Sequence, residues 1–460
     1  MDTNPNDVDW FEHWRYLLAG SEVAASAFEF QLNLLRSQSR SAQEIKQNTL
    51  NQAVNLLAYS IASVPFYQKQ SYQKLLSKIA QDGKFWSDLP IITRDMLLKQ
   101  KKQLKSYRLP AGHKITGRLR SSGSTGTAIE VASTNISNMW QKAFALRSAI
   151  WHRREFDQTL ALIRKFSTPA TKLPDGETSG HWADVEGFPF QTGKRFALEV
   201  TQSSIEEQYE WIMRKDPAYL MTFPSILREL CALSANRPSG WTPRGIVSFG
   251  ETVDEELRNA VHDCWKLDIH DTYSSEECGV IAIQCNHGGN YHIQSEAVLV
   301  EIVDEQGQTC DAGEEGQVVV TTLANFATPL VRYAIGDRAI AGTSCQCGRN
   351  LPVISQLLGR ERNLLVTPNG NFWPSFGMRK FREIVPVTSQ QFRQVTLTKV
   401  EMRYVCSSNL TKQQKLDLRN HIKSNLPEGF DVELTKVEAI ERGPSGKAEI
   451  FICEVDSNIH

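Results

Sequence analysis

The sequence predicts an α/β protein. A large N-terminal domain should be built on parallel and mixed sheets and carry a β-rich subdomain, and a small α+β domain should follow it. Three observations predict this. Between residues 159 and 250, short apolar runs end in turn residues: TLALIRKF (159–166), AYLMTF (218–223) and RGIVSFG (244–250). Helical patterns such as SSIEEQYEWIMRK (203–215) separate them, and strand–helix alternation is the pattern of a parallel sheet covered by helices. From about residue 291 the texture is β-rich, and in the last hundred residues strands surround one helix.

Taken in order, residues 1 to about 110 read as helical. FEFQLNLLRSQ and NTLNQAVNLLAYSIASV place apolar residues three and four apart, the spacing of one helix face. The proline of VPFYQ (64–68) stops the second helix, because it has no N–H to donate and clashes with the preceding turn. The Gly/Ser stretch SSGSTGT (121–127) divides this region from the alternating one. In the β-rich part, YHIQSEAVLVEIVDEQGQ and EEGQVVVTTL are strands joined by Gly-containing turns. The C-terminal part holds a strand–turn–strand at NLLVTPNGNFW, a strand at FRQVTLTKVEMRYVCS, a helix at TKQQKLDLRNHIKSNL and a final strand at KAEIFICEV.

With 460 residues, 41% hydrophobic and 22% charged, the chain can bury large cores in two to four domains. The 51 basic and 52 acidic residues nearly cancel, so no basic field supports a nucleic-acid partner. The first twenty residues, MDTNPNDVDWFEHWRYLLAG, are acidic and polar. They lack the basic and then apolar regions of a signal peptide. No run approaches the ~18 apolar residues of a membrane span. A cytoplasmic protein without a membrane partner is the expectation. Its nine cysteines are then thiols or metal ligands rather than disulfides.

SSGSTGT has the parts of a phosphate cradle. Gly123 and Gly126 allow positive φ and close backbone approach, so successive N–H groups can form an anion nest. Ser121, Ser122, Ser124, Thr125 and Thr127 add hydroxyl donors. It lacks the Lys of the common P-loop, and a solvated linker is the alternative reading.

Four longer words follow in one order: DTYSSEECG (271–279), TPLVRYAIGDRA (328–339), LLGRERNLLVTPNG (357–370) and RGPSGKAEI (442–450). VPFYQ, LPIITRDML (89–97), FPSILREL (223–230) and SFGETV (248–253) accompany them. Together the series resembles that of the adenylate-forming enzymes, the acyl- and aryl-CoA ligases. The likeness is greatest to the phenylacetate–CoA ligase-like branch that includes the CapK-like proteins, and it covers nearly the whole chain. It implies an adenylation domain over residues 1–359 and a mobile C-terminal domain over 360–460. The implied activity is ATP-dependent conversion of an acyl or aryl acid to its adenylate, with release of pyrophosphate. Transfer to a thiol, of coenzyme A or of carrier-protein phosphopantetheine, would follow. An amine or hydroxyl acceptor, giving an amide or ester, is an alternative. A nucleotide-binding scaffold without catalysis is a second. Retention of Glu277, Asp337 and Lys447 together weighs against the scaffold. An acyl carrier protein and a homodimer are compatible partners, and a biosynthetic role fits the resemblance.

The resemblance also implies roles. The loop Ser121–Thr127 would grip the β- and γ-phosphates of ATP, although many relatives end it in Lys where this chain has Thr127. Tyr273 would stack near the adenine or line the acid pocket, for which Phe223 and Ser225 are further wall candidates. Glu277 closes the Y-x-x-x-E word and would hold Mg²⁺, a hard cation suited to carboxylate oxygen; a one-residue shift would substitute Glu276. Gly250 and Glu251, in SFGETV, belong to the nucleotide site. Asp337 would accept from both ribose hydroxyls, since a carboxylate offers two oxygens to a vicinal diol. Arg360 would contact ribose or phosphate. The hinge position, often Asp or Lys, is here Arg362. Lys447 is the expected catalytic residue. A carboxylate attacking the α-phosphorus is an encounter of two anions, and a lysine bridging them stabilises the developing charge where water is excluded.

One cysteine grouping stands apart. SCQCGRNLP carries Cys345 and Cys347, and CNHGGNYHI upstream carries Cys285, His287 and His292. Two cysteines plus a distant Cys/His pair supply four ligands of the kind that suit a tetrahedral, structural Zn²⁺. The expected set is Cys285, His292, Cys345 and Cys347. His287 could replace His292, and Cys278 and Cys310 are further options. Four protein ligands leave no open position for chemistry at the metal.

Overall fold

The structure is a computed structural model that describes residues 7–120, 129–166, 168–237, 240–287, 289–361, 364–367, 370–372, 384–406, 408–443 and 446–455. The chain divides into two compact units. The first comprises the described residues of Met1–Thr159, Ser179–Arg195 and His270–Leu357; the second comprises those of Leu160–Thr178, Phe196–Ile269 and Leu358–His460.

In the first unit, helices Glu22–Ser37 and Ala42–Ser63 occupy the two periodic stretches. Ser41 and Glu44 form a capping box at the start of the second, each satisfying a backbone N–H that the first turn leaves unpaired. Val64 ends it, ahead of Pro65. The β-rich part is a sheet whose strand order runs Val298–Val303, Glu315–Thr322, Tyr333–Ala341, Val353–Arg360, Tyr291–Ile293, Gly279–Gln284, Ile269–Ser275. Leu56, Leu57, Phe66 and Tyr67 pack with Ile281, Val318, Val320 and Ile354 in its main core. Words that look unrelated in sequence meet here. The Tyr67 hydroxyl donates to the Pro329 carbonyl at 3.0 Å and accepts from the Val331 N–H at 3.2 Å. Ile92 bridges Tyr333. Arg332, at φ 51°, is 1% exposed. It reaches the Leu89 carbonyl at 2.7 Å and the Glu301 carboxylate at 3.1 Å. These contacts fix the entry to the strand that carries Asp337.

The second unit contains the predicted parallel strands. Leu160–Arg164 pairs in parallel with Tyr219–Thr222, which pairs in parallel with Gly245–Phe249. Helices Ile205–Lys215, Pro224–Asn236 and Glu255–Trp265 alternate with them. The C-terminal part has its own four-stranded sheet, ordered Asp431–Lys436, Lys399–Cys406, Val387–Thr396, Phe451–Cys453. Its helix is Lys412–Lys423, and Phe392, Val400, Met402, Tyr404, Leu418 and Ile422 lie in its core.

Two sequence expectations need correction. FRQVTLTKVEMRYVCS is a hairpin rather than one strand: Val387–Thr396 and Lys399–Cys406 are antiparallel, with Thr396 opposite Lys399. No Gly, Asn or Pro marks the turn at Leu397 and Thr398, so the two-residue period runs through it unbroken. The final strand is only Phe451–Cys453; ahead of it, the N–H of Ala448 goes to the Glu251 carboxylate rather than to a strand. No helix among the described residues is long and apolar enough to cross a membrane.

Candidate functional site

Two candidate centres lie in the first unit, and one in the second. Strand Ile269–Ser275 presents Tyr273, and strand Tyr333–Ala341 presents Asp337. The Tyr273 hydroxyl donates to Asp337 Oδ2 at 2.6 Å, and Asp337 is 7% exposed. A carboxylate offers two oxygens, the acceptor pattern that suits a vicinal diol. Between the two acids of the Y-x-x-x-E word, Glu277 is buried and Glu276 is exposed. Glu277 lies 3.5 Å from the Arg94 guanidinium. Arg94 belongs to LPIITRDML and was not singled out from sequence, because its partner is far along the chain. The phosphate-loop residues Ser121, Ser122, Gly123, Ser124, Thr125, Gly126 and Thr127 lie outside the described residues, as does Arg362. The flanking strands Ile115–Arg120 and Glu130–Thr134 pair antiparallel, with Arg120 opposite Glu130. Arg360 closes the strand Val353–Arg360.

In the second unit Lys447 lies against Gly250. A Cβ on Gly250 would stand 2.9 Å from Lys447 Cε and 3.0 Å from Nζ and would push the lysine tip aside, and φ +79° favours glycine there as well. Gly446, at φ +84°, is as constrained: a Cβ there would meet Val200 Cγ1 at 2.3 Å. Glu251 accepts from the Ser225 N–H at 2.8 Å, the Ser225 hydroxyl at 3.0 Å and the Ala448 N–H at 2.8 Å. Burial raises its pKa against these bonds. Phe223 packs on Phe249, ring centres 5.0 Å apart, and Ser225 is committed to Glu251 and to Arg442.

The third centre is the cysteine–histidine cluster. The ligand atoms of Cys285, His292, Cys345 and Cys347 all lie within 4.8 Å of one another. Cys345 Sγ is 3.8 Å from Cys285 Sγ, and Cys347 Sγ is 3.2 Å from His292 Nε2. A tetrahedron with Zn–S of about 2.3 Å has an edge of about 3.8 Å, so the donor set fits zinc in kind and in spacing. His292 Nδ1 faces the Leu351 carbonyl at 3.4 Å, which favours a hydrogen on Nδ1 and leaves Nε2 toward the sulfurs. A hydrogen bond from the Cys285 thiol, then His292, holds the Cys347 pKa far below the ordinary thiol value. Thiolate is the form that a metal binds. His287 meets the cluster through its backbone, which donates to Cys285 and accepts from Cys345. The four-ligand group therefore takes His292. It includes neither Cys278 nor Cys310.

Sequence reading missed what surrounds this cluster. Arg349 Nη1 stands 3.6 Å from Cys285 Sγ, its Nη2 donates to Asp7 at 2.6 Å, and its guanidinium lies 4.4 Å from the Trp151 ring centre. Three thiolates around one dication would leave a net negative charge, which the Arg349 guanidinium is placed to offset. The signal was present in the CxCGR word, but only folding shows that the Arg faces the sulfurs.

No protein-family model matches the chain. It is 26% identical over 276 residues to a phenylacetate-coenzyme A ligase of Escherichia coli, covering 55% of this chain and 62% of that protein. It is 35% identical over 86 residues to a phenylacetate-coenzyme A ligase of Thermus thermophilus, covering 18% of this chain and 19% of that one. The matches thus span less than two thirds of either relative. Among solved structures, 2-hydroxyisobutyryl-CoA ligase in complex with 2-HIB-AMP aligns at a TM-score of 0.71 and 15% identity, covering 90% of each chain. An anthranilate CoA ligase in complex with anthranoyl-AMP aligns at 0.52 and 14% identity, covering 82% of this chain and 75% of that one. The resemblance read from the sequence motifs is therefore borne out in both sequence and fold.

Proposed function

We propose that this chain is an AMP-forming acid–thiol ligase. It activates an acyl or aryl carboxylic acid as the adenylate, releases pyrophosphate, and transfers the acyl group to the thiol of coenzyme A. The observation that carries the reading is the seat of Lys447 on Gly250, in a chain whose curated relatives are phenylacetate-coenzyme A ligases.

A carboxylate oxygen attacks the α-phosphorus of ATP, and the bond to pyrophosphate breaks. The Lys447 ammonium stabilises the charge gathering on those oxygens. Asp337, oriented by Tyr273, accepts from the ribose hydroxyls. Ser121 to Thr127 supply N–H and hydroxyl donors to the β- and γ-phosphates, and Arg360 adds a cation. Glu277 offers the oxygen donor that suits Mg²⁺, which when bound neutralises phosphate charge. In the second step the thiol sulfur attacks the acyl carbon, AMP leaves with the former bridging oxygen, and the thiol proton passes to solvent. Residues 360–460 act as the mobile C-terminal domain between the steps. Cys285, His292, Cys345 and Cys347 hold a structural Zn²⁺.

ATP–pyrophosphate exchange with a panel of acids that includes phenylacetate and 2-hydroxyisobutyrate tests the reading. Acceptor trials with coenzyme A and a phosphopantetheinyl carrier protein follow. Exchange with at least one acid and thioester formation with coenzyme A are expected. No exchange with any acid, in protein that binds ATP, sinks it.

A further inference from the structure

We infer that Glu251 and Arg442 are positioning residues that latch Lys447 in place for the adenylation half-reaction. The inference rests on the ligase reading above.

The latch begins with a local need. Helix Pro224–Asn236 starts with proline at its first position, and Phe223 before it cannot cap with its side chain. The N–H of Ser225 is one of the donors that a first turn leaves unpaired. Glu251 supplies its acceptor from another element at 2.8 Å, and a carboxylate at a helix N-terminus also gains from the helix dipole. Its other oxygen accepts from the Ala448 N–H at 2.8 Å. Ala448 is the residue after Lys447, so one carboxylate fastens the backbone of the catalytic lysine to a helix start.

A second point lies on the other side of the lysine. Arg442 donates to the Ser225 hydroxyl at 2.7 Å and to Glu229 at 2.7 Å. The same guanidinium reaches the Gly446 carbonyl at 3.3 Å, and the Gly443 N–H donates to the Lys447 carbonyl at 2.8 Å. Lys447 is thus gripped before and after. Gly250 and Gly446 provide the clearance that lets the grip close.

The bonds are few, polar and charge-assisted. Such contacts are strong and directional, yet they can exchange for water when the loop leaves. They suit a lysine needed in one step and withdrawn in the next. A displacement of about 1 Å at a reacting centre can cost ~100-fold, so the latch bears on rate more than on folding.

The test separates the half-reactions. Exchange reports the first. Single-turnover transfer from preformed acyl-adenylate to coenzyme A reports the second. Glu251→Ala is expected to slow exchange by roughly 10- to 100-fold, at least ten times more than it slows transfer. Glu251→Gln, which keeps one acceptor oxygen, should fall between, and Arg442→Ala should act in the same direction. A substrate-free readout accompanies this: acetic anhydride labelling of Lys447, measured against exposed Lys412, should rise severalfold in Glu251→Ala. Equal losses in both half-reactions, as a nucleotide ligand or a purely structural residue would give, overturn the inference. So does unchanged labelling. If the wild-type protein supports exchange with no acid, the ligase reading fails, and the labelling result still decides whether the latch exists.

Discussion

Replacing Cys347 with serine removes one corner of the cysteine–histidine cluster, and the cost can be worked from where the corners sit. The cluster joins His292 to Cys345, closing a loop of roughly 50 residues. A cross-link over such a loop removes about 4 kcal/mol of unfolded-chain entropy at 25 °C. For a domain of 150–250 residues each kcal/mol moves the melting temperature by about 2–4 °C, so loss of the clip should lower it by roughly 8–16 °C. Elemental analysis of purified protein should find one zinc per chain in the wild type and a small fraction of that in Cys347→Ser. Calorimetry with and without a strong chelator should show the same drop in wild-type protein, and none in the variant. Wild-type protein purified without metal, or with a melting temperature indifferent to the chelator, would refute the reasoning. Arg349→Met, which removes the charge opposite the thiolates, should weaken zinc retention in a competition with chelator while leaving all four ligands in place.

Three further outcomes are expected. Lys447→Ala should cut ATP–pyrophosphate exchange by roughly 10²- to 10³-fold, with ATP affinity within a few-fold of wild type; intact exchange would remove Lys447 from the mechanism. Tyr273→Phe deletes the bond that orients Asp337 and should raise the KM for ATP about tenfold, with Asp337→Asn raising it further; an unchanged KM in both would dismiss the ribose role. His152, stacked 3.8 Å from His270, has its pKa lowered to about 3, first by burial and then by Arg154. The folded state therefore holds His152 neutral while the unfolded chain binds a proton below about pH 6.5. Stability from this group is full above that pH and declines as the pH falls toward 3, by roughly 2 kcal/mol between pH 6.5 and 5. Urea unfolding at the two pH values should show that loss in wild type and a smaller one in His152→Phe; identical slopes would contradict it.

Much of the candidate chemistry was legible because it sits in compact words. Tyr273 and Glu277 share one word, Asp337 follows an apolar strand, and Lys447 follows a glycine. The four residues of the cysteine–histidine cluster were legible as two short groups, but which histidine belongs was not. Both histidines have suitable chemistry, and only the strand Tyr291–Ile293 turns His292 inward. The alternating pattern of residues 159–250 gave parallel strands, since burial on both faces leaves a local mark. What escaped were polar contacts between residues far apart in the chain. Arg94 with Glu277, Arg349 with Asp7, and Glu251 with Ala448 join segments whose own periodicity says nothing about the partner. The hairpin at 387–406 escaped for the opposite reason: its pattern was so regular that it hid the turn.

The pair formed by Asp7 and Arg349 has a consequence for how the chain is made. The two residues lie 342 positions apart. At about 5–20 residues per second, the ribosome needs about 17–70 s to deliver the arginine after the aspartate has emerged. Through that interval the buried carboxylate of Asp7 lacks the Arg349 guanidinium, while Phe11 already has Phe28 and later Phe190 to pack against. The buried ion pair of the earliest described helix is thus among the last contacts to form, and nascent chains stalled before residue 349 should hold that helix less tightly than longer ones.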